Sequence, residues 1–175
     1  MTPMFPIALK LRERRCLVVG DGSEAASRAQ ALADAGAEVL LVKPSDYVTT
    51  DLDGVWLAVL TERNAELAAR LTADCEARQT FFCAVDQPAF GSFAHVAIAR
   101  AGSLFVGIGS SGRAPALARR LRQLLQALFD RSGLAAYAEE LAELRERTAP
   151  ADRPRVLNAA VEGLELEGRL KLPER

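Results

Sequence analysis

Apolar residues fall in short blocks separated by polar turns, and the blocks alternate with stretches rich in helix formers. Cys16-Leu17-Val18-Val19-Gly20 is a continuous apolar run bounded by Arg14-Arg15 and a glycine. Successive strand side chains point to opposite faces, so consecutive apolar positions predict a strand covered on both faces, as in a parallel sheet. Asp21-Gly22-Ser23 reads as a turn, residues 24–35 as an alanine-rich helix, and Gly36 as its stop. Residues 37–42 form a second apolar run that ends at Lys43-Pro44. Strand, glycine turn, helix and strand in this order make a βαβ unit, whose crossover is right-handed. The alternation continues with a strand over residues 55–60, a helix over 64–78 and a strand over 80–85; residues 45–50 are too short for a further helix and strand.

After Pro88 the pattern changes. Two apolar runs, residues 93–99 and 104–108, flank Arg100-Ala101-Gly102-Ser103 and predict a hairpin. Gly109-Ser110-Ser111-Gly112 then leads into a helix over residues 115–129. Leu117, Leu121, Leu124, Leu125 and Leu128 share one of its faces, and Pro115 sits at the start, where its missing N–H costs nothing. Further helices are expected over 134–147 and 156–166. The fold class is therefore α/β: a Rossmann-like parallel sheet to about residue 90, followed by a smaller helical part.

Composition narrows the function classes. The chain has 175 residues, half of them hydrophobic and 26% charged, with a net charge of −1. That length suits one domain, or a domain with a small appendage, and the apolar fraction is too high for a disordered chain. Opposite charges nearly cancel, so there is no electrostatic case for nucleic acid or an anionic membrane as a partner. Cys16, Cys75 and Cys83 are odd in number and form no CxxC pair, against a disulfide framework or structural zinc site. The N-terminus lacks the order of a signal peptide and no apolar run reaches the ~20 residues that span a bilayer, so a soluble cytoplasmic protein is expected.

Three constellations carry possible chemistry. Gly20-x-Gly22-x-x-Ala25 has the dinucleotide spacing: one glycine for the turn, one for approach of a pyrophosphate, and a small residue for close helix packing. With Asp21, Ser23 and Glu24 it forms the candidate cofactor turn, although Asp21 places a carboxylate near the phosphates. The acidic residue expected on the ribose is replaced by Val42-Lys43, and Lys43 would tolerate a 2′-phosphate. Asp86 follows a core strand at the sheet edge where ligands bind, a position for a partly buried general base or metal ligand, or simply for a turn before Pro88. Ser110, Ser111, Gly112 and Arg113 offer hydroxyls, backbone N–H groups and a guanidinium at a helix start, suited to phosphate or carboxylate or to ordinary N-capping. His95 lies in an apolar run and reads as a packed core side chain; Trp56 reads as core, and Cys16 and Cys83 as buried small hydrophobes.

The order of these pieces resembles one family. Pro6-Ile7-Ala8-Leu9 through the first strand, the glycine turn, Leu52-Asp53-Gly54-Val55-Trp56-Leu57-Ala58, Cys83-Ala84-Val85-Asp86 and Ile108 to Arg119 look like the precorrin-2 dehydrogenase/sirohydrochlorin ferrochelatase, the N-terminal module of siroheme synthase. The resemblance implies an NAD-binding Rossmann domain (residues 1–91) and a swapped strand region with a helical dimerisation domain (residues 92–175) in a homodimer. It implies oxidation of precorrin-2 to sirohydrochlorin, insertion of ferrous iron as substrate, or both. Asp86 then falls on the residue implicated in both steps, also as a transient metal ligand, and Ser110 on the loop serine. Ser111, Gly112, Arg113 and His95 join it as candidate contacts to the tetrapyrrole. The alternative is a chelatase or non-catalytic tetrapyrrole binder with a degenerate nucleotide site, because the chain departs from the family at Asp21, Glu62-Arg63-Asn64 and Ala84.

Overall fold

The computed structural model describes residues 4–172. The chain divides into two compact units, one reaching to Val96 and including Gly109–Pro115, the other made of Ala97–Ile108 and the residues from Ala116 onward.

In the first unit, β1 (Arg15–Val19), β2 (Glu38–Val42), β3 (Val55–Leu60) and β4 (Phe81–Ala84) form a parallel sheet in the order β2-β1-β3-β4. Helices α1 (Ser23–Asp34) and α2 (Ala65–Ala77) supply the crossovers. The consecutive apolar residues of the strands divide between two faces, as their pattern predicts. Leu17, Val19, Ala58, Leu60, Phe82 and Ala84 pack with Leu67, Ala68, Leu71 and Cys75 of α2. Cys16, Leu57 and Val59 pack on the other side with Leu11, Leu32 of α1 and Phe93. All three cysteines are buried as free thiols. The short β2–β3 connection is tied to α2 by Tyr47 and Thr49, whose hydroxyls donate to the Asp74 carboxylate at 2.9 and 3.1 Å.

Two expectations are corrected here. Trp56 is not core: it is 46% exposed, and the Arg14 guanidinium lies 3.6 Å above its ring centre. The pairing of β1 with β3 jumps from Arg15–Val55 to Cys16–Leu57, so Trp56 is the extra residue of a bulge that turns its side chain outward. Residues 93–96 are not strand. Gly91 instead bridges Cys83, and Ser92 N–H donates to the Phe82 carbonyl at 2.8 Å, so this segment covers the β4 edge. At Gly91 (φ +96°) an added Cβ would lie 2.4 Å from the Phe82 oxygen, which leaves room only for glycine.

In the second unit, β5 (Ala97–Ala101) and β6 (Leu104–Ile108) form a two-stranded antiparallel ribbon. Gly102 makes the turn at φ +56° against Ala135 and Glu139 of α4 (Leu134–Arg147). Gln126 of α3 (Pro115–Ser132) clamps the ribbon: its Nε2 donates to the Arg100 carbonyl and its Oε1 accepts from the Arg100 N–H, both at 2.9 Å. The third helix, α5 (Arg153–Val161), starts earlier than the apolar pattern suggests because Pro154 favours the first helical turn. The Tyr137 hydroxyl joins α4 to α5 by donating to the Ala160 carbonyl. The leucine stripe of α3 is only partly covered, with Leu117 55% and Leu124 44% exposed. No described helix is long and apolar enough to cross a membrane.

Candidate functional site

The chain runs from β1 out to β2 and returns to β3, so the strand order reverses at the β1/β3 junction, where open α/β sheets bind ligands beyond the strands' carboxyl ends. Four turns meet this edge: Gly20–Gly22 after β1, Lys43-Pro44 after β2, Thr61–Asn64 after β3 and Val85–Pro88 after β4.

The two glycines of the first turn do different work. A Cβ on Gly20 would lie 2.0 Å from Thr61 Oγ1 and 2.9 Å from Ala25 Cβ, so its absence lets β1, α1 and the turn after β3 close together. A Cβ on Gly22 would meet nothing within 4 Å, leaving open space over the start of α1. Gly22 occupies the N-cap of α1 without a side-chain cap, so the N–H groups of Ser23, Glu24 and Ala25 are free for an anion. An open glycine before an uncapped helix fits the pyrophosphate of NAD. Glu24 is offset by Arg28 at 3.1 Å, while Asp21 and Lys43 are exposed.

Asp86 is not partly buried. Its side chain is 66% exposed and accepts from Arg63 Nη2 at 2.9 Å, with Arg63 75% exposed. An exposed pair of this kind stabilises by no more than about 1 kcal/mol. Asp86 sits in the turn after β4 with φ +56°, a left-handed conformation that aspartate adopts more readily than most residues. Backbone bonds hold it there: Val85 N–H donates to the Leu60 carbonyl at 2.8 Å, and Gln87 N–H to the Ala84 carbonyl at 3.2 Å. Gln87 Nε2 also donates to the Glu62 carbonyl at 2.9 Å, linking the turns after β3 and β4.

The serine-glycine loop reaches the same turn. A Cβ on Gly112 would lie 4.0 Å from Pro88 Cβ, two residues from Asp86. Ser110 Oγ accepts from the Ala114 N–H at 3.3 Å and its carbonyl from the Arg113 N–H at 3.0 Å, so the hydroxyl also has the local capping role its position allows. Ser111 adopts φ +51° and Gly112 φ +75°.

His95 is exposed rather than a packed core residue. Its ring stands edge-on to Phe93, with centres 5.3 Å apart, near Arg28 and Glu24 of α1. Partial desolvation of the ring, aided by the Arg28 guanidinium and opposed by the Glu24 carboxylate, pushes its pKa down to about 4. Burial raises the Cys83 thiol, partly offset by the His95 backbone N–H and Arg28. Among the described residues no three His, Cys, Asp or Glu side chains converge to hold a metal ion. A hollow of about 240 Å³ between α2 and the start of β4 is lined by none of the predicted site residues. Arg63, which motif reading marks only as a departure, is the side chain that touches Asp86.

A family model described as putative NAD(P)-binding matches residues 7–97. The chain belongs to this family. It is also 35% identical over 144 residues to the siroheme synthase of Chromobacterium violaceum, covering 71% of this chain and 31% of that one. The siroheme synthase of Methylobacillus flagellatus is 31% identical over 174 aligned positions, covering 87% of this chain and 37% of that one. These matches bear out the resemblance read from the motifs, and the chain spans about a third of the length of the curated relatives it matches. Among solved structures, SirC, precorrin-2 dehydrogenase, superposes with a TM-score of 0.75 at 20% identity, covering 91% of this chain and 90% of that one; it shares the fold.

Proposed function

We propose that this protein acts in siroheme synthesis, oxidising precorrin-2 to sirohydrochlorin with NAD, with insertion of ferrous iron as a second activity at the same edge. The observation that carries this reading is the approach of the Ser110–Arg113 loop, at Gly112, to Pro88 in the turn that holds Asp86, on the sheet edge that also presents the open turn at Gly22. NAD, when bound, supplies the hydride acceptor. Gly20, Gly22 and the N–H groups of Ser23, Glu24 and Ala25 would hold it, with Lys43 near the ribose. Asp86 accepts the proton that leaves the ring as the hydride departs, so the reaction yields sirohydrochlorin, NADH and one proton. In chelation the same carboxylate takes pyrrole protons or guides the incoming iron. Arg113 and the hydroxyls of Ser110 and Ser111 receive substrate carboxylates, with His95 as a further contact.

The second unit supports a homodimer. Its ribbon and helices expose Ile98, Leu104, Phe105, Leu117 and Leu124, and a second copy of the chain would cover them. On this reading the first unit binds the nucleotide and the second dimerises. Three reduced, buried cysteines and NAD chemistry suit the cytoplasm.

Incubating the purified protein with precorrin-2 and NAD tests the reading. The sirohydrochlorin spectrum should appear together with NADH absorbance, and Asp86→Ala should remove both. A second reading, chelation or tetrapyrrole binding without redox, is favoured by the exposed carboxylate of Asp21 at the cofactor turn. It predicts iron insertion into sirohydrochlorin with no calorimetric binding of NAD or NADP.

A further inference from the structure

The Arg63–Asp86 pair links two residues 23 positions apart, and its construction is lopsided. Everything around it is fixed. Asn64 caps α2, its Oδ1 accepting from the Leu67 N–H at 3.0 Å, and its own N–H donates to the Glu62 carbonyl at 3.0 Å. Gln87 Nε2 holds that same carbonyl from the other turn. The backbone on both sides of the pair is therefore set without it, and the pair is redundant as a brace. The pair itself is a single end-on contact, Nη2 to Oδ2, between two side chains mostly in water. The remaining guanidinium N–H groups donate to no protein acceptor among the described residues, although arginine suits two-pronged binding of a carboxylate. Breaking the contact moves one side chain and leaves Asp86 where the turn puts it.

We propose that Arg63 is a substrate-carboxylate clamp: it rests on Asp86 in the free protein and exchanges onto a carboxylate of the bound macrocycle, leaving the Asp86 carboxylate open to the ring. This deepens the tetrapyrrole reading and rests on it. The chemistry required of the ligand is a ring bearing several carboxylates, of which Arg63 takes one while the Ser110–Arg113 loop, which approaches Pro88 of the same turn at Gly112, offers a further cation in Arg113. Asp86 thus competes with the substrate for Arg63. A brace would make Asp86 and Arg63 work together in binding; a clamp makes Asp86 an obstacle to it.

The test titrates uroporphyrin, an octacarboxylate, and coproporphyrin, with half as many carboxylates, into the full chain by tryptophan and porphyrin fluorescence. The proteins are wild type, Arg63→Met, Arg63→Lys, Asp86→Asn and the double variant Arg63→Met/Asp86→Asn. Loss of one charge-assisted contact should weaken uroporphyrin binding about tenfold in Arg63→Met, with partial recovery in Arg63→Lys. Asp86→Asn should tighten binding several-fold when Arg63 is present and leave it unchanged when Met replaces it. Thermal melting of each variant within about 2 °C of wild type confirms that the fold is intact. Arg63→Met binding within twofold of wild type overturns the clamp while the tetrapyrrole reading stands. So does a weakening by Asp86→Asn equal to that of Arg63→Met. Absence of binding to either porphyrin by the wild type removes the tetrapyrrole reading itself.

Discussion

The two units of the chain bury their apolar residues to very different degrees. In the first, Leu17, Val18, Val19, Val59, Leu60 and Leu71 are fully enclosed and Phe82 nearly so. In the second, the buried apolar residues among those described are three alanines, Ala99, Ala101 and Ala118, while α4 and α5 bury none of theirs. Both have amphipathic elements with sound turns and hydrogen bonds. The difference is that a doubly wound sheet covers both of its faces with its own helices, whereas the two-stranded ribbon, held by α3 and α4, keeps Leu104 and Phe105 exposed. One unit encloses large apolar side chains; the other leaves Leu104, Phe105, Leu117 and Leu124 largely exposed.

The sharpest way to break this comparison is to cut into the enclosed core. Phe82→Ala should destabilise the first unit by about 3–5 kcal/mol, measured by urea denaturation. A loss below ~1 kcal/mol would mean that this core is not the main source of stability. Next, Leu117→Glu with Leu124→Glu should weaken self-association by about 3 kcal/mol or more, a hundredfold or greater in dimer dissociation constant by sedimentation. The melting of the first unit should stay unchanged. Persistence of the dimer would remove the role given to the α3 stripe.

The cofactor turn offers a finer contrast within the first unit. Gly20→Ala forces a Cβ within 2.0 Å of Thr61 Oγ1 and should cost about 2 kcal/mol of stability. Gly22→Ala meets no atom, so it should fold normally and lose NAD binding in calorimetry. Equal effects of the two on stability would contradict their separate roles. The smallest effect concerns His95. Its pKa falls from 6.5 to about 4, so between those values the unfolded chain binds the extra proton and stability declines as pH drops. The contribution is whole above about pH 6.5. Because the residue is exposed, the loss is discounted to less than about 1 kcal/mol. His95→Phe should flatten this part of the pH–stability curve, and an unaltered slope would show that the ring is well solvated.

Much of the first unit was readable from residue pattern alone, because a parallel strand covered on both faces leaves an unbroken apolar run. Val55–Leu60 and Leu134–Arg147 match their expected spans. Trp56 misled because a bulge in β3 changes which face a residue takes, and a bulge depends on the register with β1, not on local composition. Phe93 belongs to an apolar run yet is drawn into the sheet's α1-side cluster, so the strand begins only at Ala97. The leucine stripe of α3 was visible, and the chain's own fold leaves Leu117 and Leu124 of it exposed. At the site, Asp86 and the Ser110 loop could be named from their motifs. Arg63 could not, since its meeting with Asp86 follows from the pairing of β3 with β4.

A crystal structure of the protein with sirohydrochlorin and NAD tests the central claim most directly. The account predicts the macrocycle lying against Asp86 with carboxylates on the Ser110–Arg113 loop, and the pyrophosphate over Gly22 at the start of α1. A macrocycle bound on any other surface, with Asp86 and Ser110 both facing bulk water, would contradict it.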